Sequence, residues 1–108
     1  MSERTPAVNL HRLLREIIKL EDKIEQAKNE LRDLKANWDL EEKVLSHLLS
    51  LGREACSDEN IFRRYMQSSI ACNKRYPKET KEQERLQQRL TAERLQLIQE
   101  LRELLKTF

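Results

Sequence analysis

The first half of the chain has apolar residues at positions that alternate in steps of three and four. This pattern begins at Leu10 and ends at Leu48, and Glu41 is the one polar residue within it. It is a heptad repeat, in which the first and fourth positions of every seven face another helix. We therefore predict one long helix, from about Ala7 to about Leu51, that packs along a second helix.

The residues after this helix predict a turn and a return limb. Gly52 is the single glycine and follows the last apolar residues of the pattern, where a left-handed C-terminal cap is favourable. We predict a turn over 52–57, with Ser57 or Asp58 capping the next helix. Further helices are expected over about 58–75 and about 80–107.

Pro77 predicts an interruption of the return limb. Inside a helix, proline removes one hydrogen bond and clashes with the preceding turn, at a cost of about 3 kcal/mol. It also disfavours helical angles at Tyr76. Thr80 and Gln83 then have the spacing of a capping box. We expect a limb that is broken or kinked at Pro77, with the break over 76–79.

The limbs match in length when the chain folds once near Gly52. We predict an all-α fold with a single helical coiled-coil domain, residues 1–108, that forms an elongated antiparallel helical hairpin. Its rival is a bundle in which two shorter helices pack side by side on the long one. In the hairpin, facing residues have numbers that add up to about 109, so Trp38 should lie near Ile70 or Ala71. The structural seam is expected to include Ile17, Ile24, Leu31, Trp38, Leu97 and Leu101.

The chain has more apolar residues than one seam uses, which suggests that a further helix packs on the hairpin. We expect a homodimer or a hetero-oligomer with a protein partner to complete a bundle. Parallel self-pairing of the first helix is disfavoured because it would set Glu16 against Glu21 and Lys23 against Lys28. The expected pairing is therefore antiparallel or heterotypic. The candidate partner-interface residues are Leu14, Ile18, Val44, Leu49, Leu95, Ile98 and Leu105.

Composition supports a helical rod and excludes several classes of protein. Charged residues make up 37% of the chain, aromatic residues 5%, and the net charge is +2, so no overall attraction to nucleic acid or membrane is expected. The absence of a long apolar run argues against a membrane span, and the polar N-terminal residues argue against a secretory signal. Cys56 and Cys72 are expected to be free thiols, which points to a cytoplasmic or nuclear protein.

No motif of an enzyme or a cofactor site is present. The sequence has no glycine-rich phosphate loop, no nucleophile elbow and no closely spaced cysteine and histidine pairs. We expect no catalytic residue, no cofactor and no metal. The polar seam residues Glu41 and Arg94 are interpreted as lying in a frayed or solvated part of the seam; the alternative is that they fix the register or mark a partner contact.

A basic segment is the clearest candidate for recognition of a charged partner. Residues 60–81 carry six basic side chains and one acidic one, and Phe62, Tyr65 and Tyr76 lie among them. The acidic segment 41–59 should lie opposite and could neutralise them; an acidic protein or a nucleic acid are the alternatives. The basic residues are Arg63, Arg64, Lys74, Arg75, Lys78 and Lys81.

The sequence thus favours a non-enzymatic coiled-coil module for protein–protein interaction. It would act as an adaptor or structural subunit of a larger assembly, for which cytoskeletal and nuclear complexes are candidates. The alternatives are a helical nucleic-acid-binding protein that uses residues 61–81, and a small helical chaperone or assembly factor.

Overall fold

The computed structural model describes residues 6–52 and 56–108, which form two long helices. Helix α1 is Pro6–Leu51 and helix α2 is Glu59–Leu105. They form an antiparallel hairpin, in which Glu21 of α1 bonds Arg94 of α2 and Trp38 of α1 stacks on Tyr76 of α2. The predicted all-α hairpin is confirmed. The rival bundle of one long and two shorter helices is not formed.

Local hydrogen bonds define the two helix ends beside the turn. Gly52 has a φ of 76°, and its N–H donates to the carbonyl of Leu48 at 3.1 Å, so the predicted left-handed cap is confirmed. Asp58 caps α2, because its Oδ1 accepts hydrogen bonds from the N–H groups of Asn60 at 2.9 Å and Ile61 at 3.3 Å. Residues 53–55 of the predicted turn lie outside the described residues.

The predicted break over 76–79 is wrong, since α2 continues through Pro77 as one helix. The alternative of a kink at Pro77 stays a prediction. Pro77 is exposed, whereas Tyr76 is half-buried and Thr80 is buried, so the helix packs on α1 both before and after the proline. This packing offsets the hydrogen bond that the proline removes. Thr80 and Gln83 are therefore interior helical residues and do not form the predicted capping box.

Helix α2 has an inward-facing heptad pattern along its whole length. Its inward residues are buried or half-buried and alternate in steps of four and three, in phase on both sides of Pro77. The central part of this pattern is polar, which is why apolar residues alone do not reveal it. The inward residues are Phe62, Met66, Ser69, Asn73, Tyr76, Thr80, Gln83, Gln87, Leu90, Arg94, Leu97, Leu101 and Leu104.

The chain divides into two compact units with different interiors. The terminal unit contains residues 6–29 and Glu84–Phe108, and the turn unit is Glu30–Gln83. The buried hydrophobic residues of the described chain all belong to the terminal unit: Leu13, Ile17, Leu20, Ile24, Ala27 and Leu90. In the turn unit, the described residues that are classed as buried are Ser69 and Thr80. Among the described residues, the most deeply buried part of the hydrophobic core thus lies in the terminal unit.

The register of the hairpin differs from the prediction. The numbers of Glu21 and Arg94 add up to 115, and those of Trp38 and Tyr76 add up to 114. The prediction of about 109, with Trp38 near Ile70 or Ala71, is therefore shifted by about five residues. Helical side chains point toward the N-terminus of their own helix, which is away from the turn on α1 and toward the turn on α2. A residue of α2 therefore has its Cα further from the turn than the α1 residue that it contacts. This accounts for part of the shift.

Candidate interaction site

A groove in the terminal unit shows which flanks of the two helices lie on the same side. Glu21, Glu25 and Lys28 of α1 line it together with Thr91 and Arg94 of α2. The side of α1 that carries Glu21, Glu25 and Lys28 therefore lies next to the side of α2 that carries Thr91.

The heptad repeat extends this face toward the chain ends. Leu14 and Ile18 lie seven residues before Glu21 and Glu25, so they occupy the same flank of α1. Leu95 lines a second groove together with Thr91, and Ile98 lies seven residues after Thr91. These residues form one apolar face of the terminal unit. Leu105, seven residues after Ile98, continues this flank of α2. We call the face the terminal face; it consists of Leu14, Ile18, Leu95, Ile98 and Leu105.

The terminal face is largely open to solvent. The exposed fractions are 43% for Leu14, 57% for Ile18, 56% for Leu95 and 51% for Leu105, and Ile98 is half-buried. Contiguous exposed apolar residues with a charged border are typical of interaction surfaces, whereas isolated ones are common on any protein. Five of the seven predicted partner-interface residues thus share one face.

The remaining two predicted interface residues lie in the turn unit and do not share a face. Val44 and Leu49 are both exposed, but five residues separate them on α1, which corresponds to about 140° around the helix. Val44 instead lies in line with Leu40 and Leu51, which are 60% and 54% exposed. This second stripe was not predicted, although its spacing of four and seven residues is visible in the sequence.

The six predicted seam residues all face inward, to different extents. Ile17 and Ile24 are buried in the terminal unit. The other four are half-buried: Leu31, Trp38, Leu97 and Leu101.

Arg94 occupies an inward position of α2 and extends toward the flank of α1. Its Nη2 and Nε donate to the same Oε1 of Glu21 at 2.9 and 3.1 Å. The two side chains are 39% and 49% exposed, so this pair contributes at most about 1 kcal/mol of stability. The guanidinium group thus lies in the solvated margin, in line with the interpretation from the sequence.

The interior of the turn unit contains polar side chains that are incompletely hydrogen-bonded. Trp38 stacks on Tyr76 with ring centroids 6.1 Å apart and an interplanar angle of 12°. Beside this pair, several enclosed polar atoms have no hydrogen-bond partner among the described residues. They are Oε2 of Glu41, Oγ of Ser69, both amide atoms of Asn73, Oγ1 of Thr80 and Oε1 of Gln83. Oε2 of Glu41 is thus enclosed in the turn unit, whereas a frayed or solvated part of the seam was predicted for this residue, which is half-buried as a whole.

The phenol of Tyr76 is expected to ionise only at strongly alkaline pH. Burial, and next the hydrogen bond that Tyr76 donates to Glu41, raise its pKa above the ordinary value of 10.0. Because folding holds this proton more tightly, its contribution to stability is present below pH 10 and is lost as pH rises through the folded-state pKa. Absorbance titration of a Tyr65→Phe variant, in which Tyr76 is the single tyrosine, should give a higher midpoint for folded than for urea-unfolded protein. Equal midpoints would contradict this assignment.

The basic segment divides into paired and unpaired residues. Arg63 pairs with Glu59 at 3.5 Å, and Arg75 donates to Sγ of Cys72 at 3.3 Å. The other four basic residues are exposed, and no ion pair of the described residues involves them. Among the described residues of segment 41–59, none therefore forms an ion pair with these four. We call them the basic stripe; they are Arg64, Lys74, Lys78 and Lys81.

The aromatic residues of this segment do not lie on the basic stripe. Phe62 and Tyr76 are inward residues of α2, and Tyr65 is 42% exposed on the flank. The stripe thus offers cationic contacts without a platform on which bases could stack.

Other kinds of site are not apparent in the described part of the chain. Cys56 and Cys72 are free thiols, and residues 6–52 and 56–108 contain no group of three or more potential metal ligands. Neither α1 nor α2 contains a stretch that is long and apolar enough to cross a membrane.

Comparisons with protein-family models, curated proteins and solved structures found no significant match to this chain.

Proposed function

We propose that this chain is a non-enzymatic helical module that binds other protein chains and serves as an adaptor or structural subunit of an assembly. The terminal face supports this proposal more than any other feature. It places two exposed residues of α1, Leu14 and Ile18, beside Leu95, Ile98 and Leu105 of α2. A helix from another chain that packs on this face would enclose apolar surface that the hairpin leaves in water.

The distribution of the core also supports a binding role. The hairpin encloses one apolar seam in the terminal unit, and the terminal face adds a second apolar stripe to each helix of that unit. A helix with two adjacent apolar stripes usually contacts more than one neighbour. Helix packing on the terminal face would convert the two-helix unit into a bundle with a larger core.

The experiment is an affinity capture of the tagged full-length chain from nuclease-treated cells, with the stoichiometry of bound chains measured by mass spectrometry. A differently tagged copy of the chain is expressed in the same cells, so self-association is counted as well. Capture at a fixed ratio should be lost with the Leu14→Glu/Ile18→Glu double variant, because binding would bury both carboxylates without a partner.

Leu40→Glu is the matched control, since Leu40 is a 60% exposed leucine of the turn unit. It should leave the captured chains unchanged. Circular dichroism verifies that the variants keep their helices. If no chain is captured at a fixed ratio, or if the double variant captures the same chains as the wild type, the proposed function is wrong.

A second candidate function is binding to the phosphate backbone of a nucleic acid. The observation that favours it is the basic stripe, whose four cations make no ion pair within the described residues. Their positions span 17 residues of one exposed helix, which is about 26 Å. Phosphate contacts of this kind fix position without reading sequence.

Fluorescence anisotropy with a labelled duplex tests this second candidate. Binding should weaken as salt increases, with a log–log slope of about −0.9 for each phosphate contacted. Lys74→Gln/Lys78→Gln should lower both the affinity and the slope, whereas Arg63→Gln, which removes a residue already paired with Glu59, should change them less. The absence of binding at low salt would exclude this function.

A further inference from the structure

We infer that the occupant of the terminal face is a second copy of this chain, packed so that α1 lies antiparallel to α1 and α2 antiparallel to α2 across a two-fold axis at Ile18. This inference rests on the proposed function, because it uses the same face, and it specifies the partner. The result is a four-helix bundle built from two terminal units.

The charges around Ile18 are self-complementary in the antiparallel orientation. On the exposed side of α1, His11 and Arg15 precede Ile18, whereas Asp22 and Glu25 follow it. Antiparallel pairing about Ile18 sets Arg15 against Asp22 of the second copy, and His11 against Glu25. Parallel pairing would set Arg15, Asp22 and Glu25 each against its own copy, so that like charges meet. No ion pair of the described residues involves Arg15, Asp22 or Glu25.

The apolar residues of α2 are arranged around the same two-fold axis as the charges of α1. In the register of the terminal unit, where Glu21 contacts Arg94, Leu95 is level with residue 20 of α1 and Ile98 with residue 17. Residues 17 and 20 lie on either side of Ile18 along α1. The two-fold axis at Ile18 therefore brings Leu95 of one copy against Ile98 of the second copy. Ile18 and Leu95, which are 57% and 56% exposed, thus lie at the centre, with charges at the border. An apolar centre and a charged rim are the usual anatomy of an interface.

The two-fold axis makes each contact occur twice, which permits a sharp test with purified full-length protein. Sedimentation equilibrium should show a reversible dimer of the wild type. Arg15→Glu and Asp22→Arg should each raise the dissociation constant at least about tenfold, because each places two like pairs in the interface. A mixture of the two variants should form a heterodimer with an affinity close to that of the wild type, since both of its pairs are attractive.

Two further variants define the surface. Ile18→Glu should abolish the dimer, and Leu40→Glu, in the turn unit, should leave it intact. A monomeric wild type, or a mixture of Arg15→Glu and Asp22→Arg that associates no better than either variant alone, would overturn this inference. A monomer whose cellular partners still depend on Leu14 and Ile18 would overturn the self-association alone and leave the proposed function standing. If no partner of any kind depends on this face, both are wrong.

Discussion

Replacing Ile24 by alanine is expected to lower the free energy of unfolding by about 3 kcal/mol. Ile24 is 9% exposed and packs in a cluster with Leu20, Ala27 and Leu90. Its truncation removes buried methyl groups and leaves a cavity in the core of the terminal unit. Urea denaturation followed by circular dichroism should show a lower midpoint with an unchanged slope.

Two leucine truncations provide the comparison. Leu34→Ala, at a half-buried inward position of the turn unit, should cost less than Ile24→Ala, because less apolar surface returns to water. Leu40→Ala, at a 60% exposed position, should change stability by no more than about 0.5 kcal/mol. Equal losses at Ile24 and Leu34 would contradict a core whose most deeply buried part lies in the terminal unit.

The hairpin could be predicted because its evidence lies in local patterns. The heptad spacing specifies that α1 pairs with another helix, Gly52 specifies the end of α1, and Asp58 specifies the start of α2. These three features are all consistent with one hairpin. The error at Pro77 has a different origin. Proline disfavours a continuous helix locally, but the packing of Tyr76 and Thr80 on α1 is a tertiary effect that the local sequence does not contain.

The register and the polar seam could not be obtained from apolar residues alone. The register depends on the direction in which helical side chains point and on the length of the side chains in contact, such as Trp38 and Tyr76. Ser69, Asn73 and Thr80 face inward because the heptad phase of α2 continues from Met66 to Leu90, not because they are apolar. Extending the spacing of three and four through polar residues would have revealed this seam.

The candidate interaction residues could be predicted only in part, because the sequence shows which residues are apolar but not which of them share a face. Surplus apolar residues are visible in sequence, so Leu14, Ile18, Leu95, Ile98 and Leu105 could all be selected. Their common face is a property of the hairpin, because it depends on which flank of α2 adjoins which flank of α1. Val44 and Leu49 have similar surroundings in sequence, yet they lie on different sides of α1.

The double substitution Ser69→Ala/Thr80→Val is expected to raise the free energy of unfolding by about 2–4 kcal/mol. These residues are 6% and 8% exposed, and neither hydroxyl has a hydrogen-bond partner among the described residues. A buried hydroxyl without a partner loses its solvation on folding and gains no bond in return. Removing both hydroxyls while keeping the shape of the side chains should therefore favour the folded state. Urea denaturation measures the change.

Matched controls separate this effect from helix propensity. Ser68→Ala changes an exposed neighbour of Ser69, and Thr91→Val changes an exposed threonine whose hydroxyl already donates to the carbonyl of Gln87 at 2.8 Å. Each should alter stability by no more than about 0.5 kcal/mol. If the controls stabilise as much as the buried pair, helix propensity alone explains the gain. If Ser69→Ala/Thr80→Val lowers stability, the two hydroxyls make favourable hydrogen bonds in solution, and the polar seam contributes to the strength of the hairpin.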